Sequence, residues 1–565
     1  MSLFGSIQIA ANSLRASEIA LQVIGQNIAN ANTPGYIREE VVLSPAPTQR
    51  RGHLLLGLGV EVEAVVQKID LYLEERLRAS VSDRMDAETQ ESSYMRLETL
   101  IGELTDTDLS TMLTSFFSSI AEVLNDHQSV SARQLVVLQG NQLAVEMNRL
   151  ADRARDIRSD MNDQVINMAD SINRLTEEIR LLNVRIANAE GGNISASDAV
   201  GLRDQRLVAL ENLAKLVRTD VREQPSGGVA VYCGGDWLVF EGTSREVEAV
   251  LESAPGFSAA EIQLVDTRDS LDVTSGELRG LLDSRDEIMT GFLDRLDEFA
   301  RTFAFEFNKL YSQGQGLTGY QELTAENSVD ADDLALSEVG LPFTPASGSF
   351  ELMVYNTQTD ITQTTDVLID LNGIGHDTTL ADLATMLDAV DGISSEVTIS
   401  GKLTITSDSA DQQFAFRGDT SGVLAALGLN TFFSGSTAAD LGINSVVEQD
   451  PATFAASSGG IGADAKNAEV LAGFIDMDLK SHGGASLAVL YDRLTGETTQ
   501  SSSIARAVAD GARVFEETLR GQKLATSGVS LDEEAVRMIA FQRAYQASAR
   551  YITVLSELFE ITVNL

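Results

Sequence analysis

Apolar residues recur at alternating steps of four and three at both ends of this chain, and that pattern constrains its fold more than anything between. At the N-terminus the series is Leu3, Ile7, Ala10, Leu14, Ser17, Leu21, Ile24, Ile28 and Ala31. At the C-terminus it is Met538, Phe541, Tyr545, Ser548, Ile552, Leu555 and Phe559. This is the a/d seam of coiled-coil helices. Each seam needs a helical partner, so the chain reads as a subunit of a larger assembly whose two ends meet. An ordinary intramolecular bundle satisfies the same spacing, and periodicity alone does not separate the two.

At 565 residues the chain is too long for one core, so several domains are expected. A hydrophobic content of 43% rules out global disorder. The net charge of −43 argues against nucleic acid or an anionic membrane surface as partner, because phosphates attract Lys and Arg. It fits a soluble, self-repelling monomer, and adaptation to a salty habitat would explain it as well. Cys233 is alone, and His53, His127, His376 and His482 are scattered, so neither an internal disulfide nor a Cys/His zinc site is expected. No metal and no cofactor are expected. Missing disulfides suit the cytoplasm or an export route that needs an easily unfolded chain. The N-terminus lacks a cationic region followed by an apolar run, so no signal peptide is expected. No run of about 18 apolar residues predicts a membrane span.

Along the chain, residues 2–30 read as one amphipathic helix ended by Asn30-Ala31-Asn32-Thr33-Pro34-Gly35, where Pro34 disfavours helix at Thr33. Val60, Val62 and Ala64 alternate with Glu61 and Glu63 as a half-exposed strand does. Residues 70–105 and 108–126 read as helices, and a long one runs from about Ser131 to Ala189. Its seam is Leu143, Met147, Leu150, Ala154, Ile157 and Met161, then, after an extra step of four, Val165, Met168, Ile172, Leu175, Ile179, Leu182, Ile186 and Ala189. That break is a stutter. Gly191-Gly192-Asn193 ends the helix, and Asp198 is expected to cap the next, which runs to about Val217.

Pro225-Ser226-Gly227-Gly228 marks a turn before short strands at Val229–Tyr232 and Trp237–Phe240. Helical period returns from Gly276 to Tyr311. Residues 317–455 are rich in Gly, Ser, Thr and Asp, with β alternation at Phe350–Tyr355, Val397–Ile399 and Leu403–Ile405. Residues 462–524 turn helical, and Thr526-Ser527-Gly528 breaks before the last helix. The expected class is α+β multidomain, with terminal coiled-coil and helical-bundle layers and inserted mainly-β domains. The expected division is 1–45 plus 529–565 as a terminal coiled-coil domain and 46–220, 276–316 and 456–528 as a helical rod-like domain. Residues 221–275 form a small β domain, and 317–455 an inserted mainly-β outer domain.

Asn12-Ser13-Leu14-Arg15-Ala16, Ala20-Leu21 and Asn27-Ile28-Ala29-Asn30-Ala31-Asn32-Thr33-Pro34-Gly35-Tyr36 resemble the N-terminal motif of flagellar rod, hook and hook-associated proteins. Val529-Ser530-Leu531-Asp532-Glu533-Glu534, with Phe541-Gln542-Arg543-Ala544-Tyr545-Gln546-Ala547-Ser548-Ala549-Arg550, resembles their C-terminal signature. Gly57–Val62 with Asp70 and Glu75–Arg78, Leu202–Arg206, and Gly276–Asp286 with Leu293, Leu296, Asp297 and Asn308 are similar to segments of the hook-associated protein 1 family. The resemblance covers roughly 1–315 and 460–565. The chain departs from the family's pattern at Ile37 and at Arg203, which precedes Asp204.

The resemblance implies a structural role at the junction between flagellar hook and filament, with the terminal helices forming an inner tube. It implies further copies of the chain, hook protein, a second hook–filament junction protein and a C-terminal export chaperone as partners. It also implies an extracellular place on the flagellum, reached through the flagellar type III apparatus without a cleaved signal peptide. The seams and the motif together nominate self-assembly residues. They are Leu14, Leu21, Ile24, Asn27, Ile28, Asn30, Asn32, Gly35 and Tyr36 at one end, and Met538, Phe541, Tyr545, Ile552, Leu555 and Phe559 at the other.

Catalytic readings are weaker. Asp330, Asp332 and Asp333 read as a solvated acidic loop before a cation site. Gly57 and Gly59 lack the third glycine of a dinucleotide loop. Asn193-Ile194-Ser195 fits a glycosylation sequon but reads better as a loop, His127 as a helix end, Cys233 as a buried inert thiol and Trp237 as core. The expectation is therefore a non-enzyme. Another flagellar axial protein, hook protein or flagellin-like, is the alternative, ahead of an extracellular carboxylate hydrolase in the β domains.

Overall fold

Heptad spacing becomes helix wherever the sequence carries it. In the computed structural model, which describes residues 3–51, 54–102, 109–191, 197–254 and 257–563, helices run over Leu3–Ala29, Leu71–Ile101, Leu109–Asn125 and Val130–Glu190. Others run over Val200–Leu216, Thr290–Tyr311, Leu487–Ser527 and Leu531–Val563. In Val130–Glu190 the seam residues Leu143, Met147, Leu150, Ala154 and Met161 are buried, and so are Val165, Met168, Ile172, Ile179, Leu182 and Ile186 beyond the stutter. Only Ala189, in the last turn, is exposed. His53, Gly192, Asn193 and the rest of the sequon lie outside the described residues.

The chain divides into two units. One comprises Met1–Ser93, Ser159–Glu287 and Ser503–Leu565; the other comprises Tyr94–Arg158 and Ile288–Ser502. The helices Leu71–Ile101, Val130–Glu190 and Leu487–Ser527 are divided between them.

In the first unit the N-terminal helix is followed by an antiparallel pair, Glu39–Pro45 with Val60–Gln67, in which Glu39 faces Gln67 and a bulge falls between Val42 and Leu43. A four-stranded antiparallel sheet is built in chain order from Asp220–Glu223, Val229–Cys233, Asp236–Phe240 and Thr243–Ser244. A separate hairpin, Val247–Ala254 with Phe257–Leu264, follows it.

The second unit has an aromatic core. The Phe116 ring lies 5.4 Å from Phe307 and 5.5 Å from both Phe432 and Phe433, while Phe303 and Phe433 approach to 4.7 Å. Such rings combine large buried area with favourable edge contacts. Its β region holds two three-stranded antiparallel sheets. Gly348–Asn356 is the centre of one and Leu403–Ser407 of the other. The helix Leu380–Asp388 opens on a capping box, Thr379 with Asp382, and packs Leu380, Leu383 and Leu387 into that β core.

Several local expectations are corrected. The helix expected over Gly276–Tyr311 is Glu277–Asp283 and Thr290–Tyr311, joined by a π-helical stretch, Ser284–Met289. Asp198 does not cap Val200–Leu216; Ala199 holds that position without a side-chain bond, and Asp198 Oδ2 accepts instead from the Gln67 amide at 3.1 Å. The strand expected at Val397–Ile399 is Ile393–Val397, and Ile399 sits in the following turn, fully exposed. Residues 462–524 are not one helical run. Lys466–Ala472 is followed by short 3-10 turns and by Gly483 and Gly484 at φ 65° and 87° before Leu487. Trp237 is only half-buried, with the Arg245 guanidinium 5.2 Å from its ring.

Candidate assembly surface at the chain termini

Small side chains let the N-terminal helix be approached closely. Ala10, Ala16, Ala20, Val23 and Ile24 are all buried. On one side the β pair covers it, where Asn12 Nδ2 donates to the Leu58 carbonyl at 3.0 Å. Gly59 has φ 91°, a conformation that strains other residues, and a Cβ there would press on the Ile9 backbone oxygen at 3.3 Å, so glycine suits this close approach. On another side lies the C-terminal helix. Ser548 Oγ donates to Ser13 Oγ at 2.9 Å, and Phe4 and Phe559 meet edge to face at 5.8 Å.

The turn after the helix is built as its residue types require. The Thr33 amide donates to Asn30 O and the Tyr36 amide to Thr33 O, and Gly35 takes φ 79°. This turn brings Tyr36, Arg38 and Glu39 back to Asn27. Buried Asn27 uses its whole amide: Nδ2 donates to Glu39 O at 3.0 Å and Glu534 Oε2 at 3.2 Å. Its Oδ1 accepts from the Glu39 amide at 2.9 Å and from Tyr36 Oη at 2.8 Å. Arg38 donates from Nε and Nη2 to Glu534 Oε1 at 2.8 and 2.6 Å. Both partners are buried, Arg38 at 3% exposure and Glu534 at 1%. A charge-assisted pair with its remaining lone pairs taken by Asn27 is the arrangement that makes a buried ion pair tolerable. Burial, helped by the charges of Glu39, Asp204 and Glu534, pushes the Tyr36 phenol well above its usual range, so it stays a donor.

Asp204 stands behind this lock. Its Oδ1 accepts from the Ile37 amide at 3.3 Å and from Gln67 Nε2 at 2.6 Å. Burial outweighs both bonds and pushes its carboxyl up to about 7. Further along the unit, Leu71–Ile101 and Leu487–Ser527 are joined by an ionic ladder. Glu74 pairs with Lys523 at 2.8 Å, Arg84 with Glu516, and Arg513 with both Glu88 at 2.7 Å and Glu91. Leu519 inserts among Leu73, Leu77 and Val81 between them.

Of the nominated self-assembly residues, Ile24, Asn27 and Leu555 are buried. Leu14, Leu21, Ile28, Asn30, Tyr36, Met538, Phe541 and Ile552 are half-buried, and Asn32, Gly35, Tyr545 and Phe559 are exposed. Arg38, Glu39, Asp204 and Glu534 were not nominated. Asp204 and Glu534 lie inside the motifs Leu202–Arg206 and Val529–Glu534, which was the available signal. Periodicity gave them no role, because Asp204 meets Ile37 and Gln67, and Glu534 meets Asn27 and Arg38, across 137 or more positions. The pairing of the two helices leaves a second apolar row on the C-terminal helix uncovered: Val536, Ala540, Ala544, Ala547, Tyr551, Val554, Leu558 and Ile561, all exposed. From Ala544 to Leu558 each member precedes a seam residue by one, which sets the row about 100° round the helix. Leu558 is 48% exposed and Ile561 57%.

Burial pushes the Cys233 thiol up to about 12, so the reactive thiolate is suppressed. Asp330, Asp332 and Asp333 are exposed. Among the described residues no cluster of His, Cys, Asp or Glu could hold a metal, and no helix is long and apolar enough to cross a membrane.

Residues 7–36 match the flagella basal body rod protein family, and residues 520–565 the C-terminal family of flagellar basal body rod FlgEFG proteins. Residues 94–324 match the helical domain of flagellar hook-associated protein FlgK. Flagellar hook-associated protein 1 of Bacillus subtilis (strain 168) is 25% identical over 572 residues, covering 100% of this chain and 98% of the relative. The proteins of that name from Salmonella typhimurium and Escherichia coli K12 are 22% and 23% identical, each covering 99% of both chains. A solved structure, the flagellar hook junction protein FlgK from Burkholderia pseudomallei, superposes loosely, with a TM-score of 0.49 and 14% identity over 80% of this chain and 100% of that one. Matched at both termini and through the helical region, the chain is similar from end to end to relatives of one kind, the flagellar hook-associated protein 1 proteins.

Proposed function

We propose that this chain is a structural subunit of the bacterial flagellum that polymerises at the hook–filament junction and is needed for the filament to assemble. The observation that carries the reading is the second apolar row of the C-terminal helix. That helix already has an internal partner, yet it keeps Val536, Tyr551, Val554, Leu558 and Ile561 in water. A row at coiled-coil spacing on a paired helix suits a neighbouring helix of another copy. The end-to-end similarity to proteins named flagellar hook-associated protein 1 supports the flagellar hook–filament junction as that assembly. On this reading, copies join through their terminal helices, hook protein lies on one side and a second junction protein on the other. A chaperone guards the C-terminal segment during export to the cell exterior.

A strain lacking the chain tests this. It should keep its hooks, build no filaments and shed flagellin into the medium. Gold label on a tagged, complementing copy should mark the hook–filament boundary. Normal filaments in the deletion strain would overturn the proposal.

A further inference from the structure

In the first unit a cavity of about 270 Å³ opens between the helices Leu71–Ile101 and Val200–Leu216 and the strands of the small sheet. Leu71 and Arg78 line it from one helix, Arg206 and Leu210 from the other, and Val221 and Val229 from the strands. Arg78 is 7% exposed, and its side chain has neither a hydrogen bond nor an ion pair among the described residues; its Nε is fully enclosed. Four carboxylates bear on it: Glu74, Glu75, Asp220 and Glu211. Three are engaged elsewhere, Glu74 by Lys523 at 2.8 Å, Asp220 by Arg222 at 2.8 Å and Glu211 by Arg520 at 2.5 Å. Glu75 stands exposed on the cavity wall. Arg206, 5% exposed, gives Nη1 to Asn183 and to the Gly227 carbonyl, and its Nε is also unpartnered. Burial pulls both guanidinium pKa values down, Arg206 to about 10.

A buried guanidinium with carboxylates nearby but none bonded to it keeps the cost of its unmade hydrogen bonds unless something supplies an acceptor. The apolar walls and the small volume limit what can. We infer that this cavity is a binding site for an organic carboxylate on an apolar body about one ring in size, its carboxylate against Arg78 and its body against Leu71, Leu210 and Val221. The guanidinium fork matches a carboxylate in two parallel bonds, which an ammonium does not reproduce. The carboxylate comes either from a free acid or from an acidic side chain of a second copy, since a chain of net charge −43 presents many.

The full-length monomer is titrated with 3-phenylpropionate by calorimetry, with methyl NMR of Leu71, Leu210 and Val221 reporting where it binds. Saturable one-site binding is expected, with shifts confined to those methyls. It should weaken at least tenfold in Arg78→Met, be partly retained in Arg78→Lys and tighten in Glu75→Gln, which removes the competing acid. The uncharged 3-phenylpropionamide should not compete. Absence of saturable binding, equal binding of the amide, or unchanged binding by folded Arg78→Met overturns the site. The methyl shifts in the native chain decide the matter should Arg78→Met not fold. On polymerisation, expulsion of the probe assigns the carboxylate to a second copy, and retention assigns it to a free acid.

Discussion

The tightest knot in the terminal region is also the one with most to lose from a single change. Arg38 and Glu534 are both enclosed, and Asn27 ties Glu534 to Glu39 and Tyr36. Glu534→Ala would leave the buried Arg38 guanidinium only the exposed Glu533 carboxylate at 3.5 Å, a loss approaching about 3 kcal/mol. Because Glu534 lies in the first turn of Leu531–Val563, that loss falls on the docking of the helix. Amide exchange should accelerate across 531–563 while Val130–Glu190 keeps its protection; unchanged exchange in 531–563 would refute the lock. Asp204 makes the neighbouring region pH-dependent. Its carboxyl titrates near 3.8 when exposed and is held at about 7 here, so the folded chain binds its proton more tightly. Its contribution is therefore most favourable below pH 3.8 and is lost as pH rises through about 7. Asp204→Asn keeps an acceptor for the Ile37 amide without the charge. It should raise the melting temperature most near pH 8 and least below pH 4. A pH-independent difference would remove Asp204 from the account.

Elements were legible where one face is repeated for many turns. The terminal seams and the Leu143–Ile186 row are long, and each becomes a helix; burial follows the Leu143–Ile186 row closely, whereas in the C-terminal seam it is complete only at Leu555. The π-helical stretch Ser284–Met289 was not legible, for a reason visible at Arg285. Between Leu281 and Ile288 the seam position falls on this arginine, which is 1% exposed and reaches the Ala260 carbonyl at 2.6 Å and Asn162 Oδ1 at 3.1 Å. A charged residue in a seam looks like a gap in the pattern, and only its distant partners explain it. Asp198 failed similarly. Local spacing made it a cap, but the Gln67 amide, 131 positions away, claimed the carboxylate. The same limit hid Arg38, Glu534 and the ladder from Glu74 to Arg513, since ionic pairing across hundreds of residues leaves no periodic trace. The two-row character of Leu531–Val563 was half legible: the seam was read, and the second row became distinct once the first had a partner.

At the scale of the whole molecule the two rows make separable demands. The seam row holds the chain's own ends together, through contacts such as Ser548 with Ser13 and Phe559 with Phe4. The outer row does nothing visible for the single chain. A substitution in each should therefore part folding from assembly. Leu558→Lys replaces a side chain that is 48% exposed, so the monomer's stability should change by no more than about 0.5 kcal/mol. Ile552→Lys puts an ammonium on the half-buried seam and should cost the monomer about 2 kcal/mol. Both should fail to polymerise: at Leu558 the ammonium must be desolvated when the next copy arrives, and at Ile552 it loosens the pairing of the two terminal helices that presents the outer row. Thermal melts of the monomer and sedimentation of the polymer measure the two effects independently. Leu558→Lys polymers indistinguishable from wild type would mean that the exposed row meets only water. The assembly would then have to be sought on the turn residues Asn32 and Gly35 or on Tyr545, which the single chain also leaves exposed.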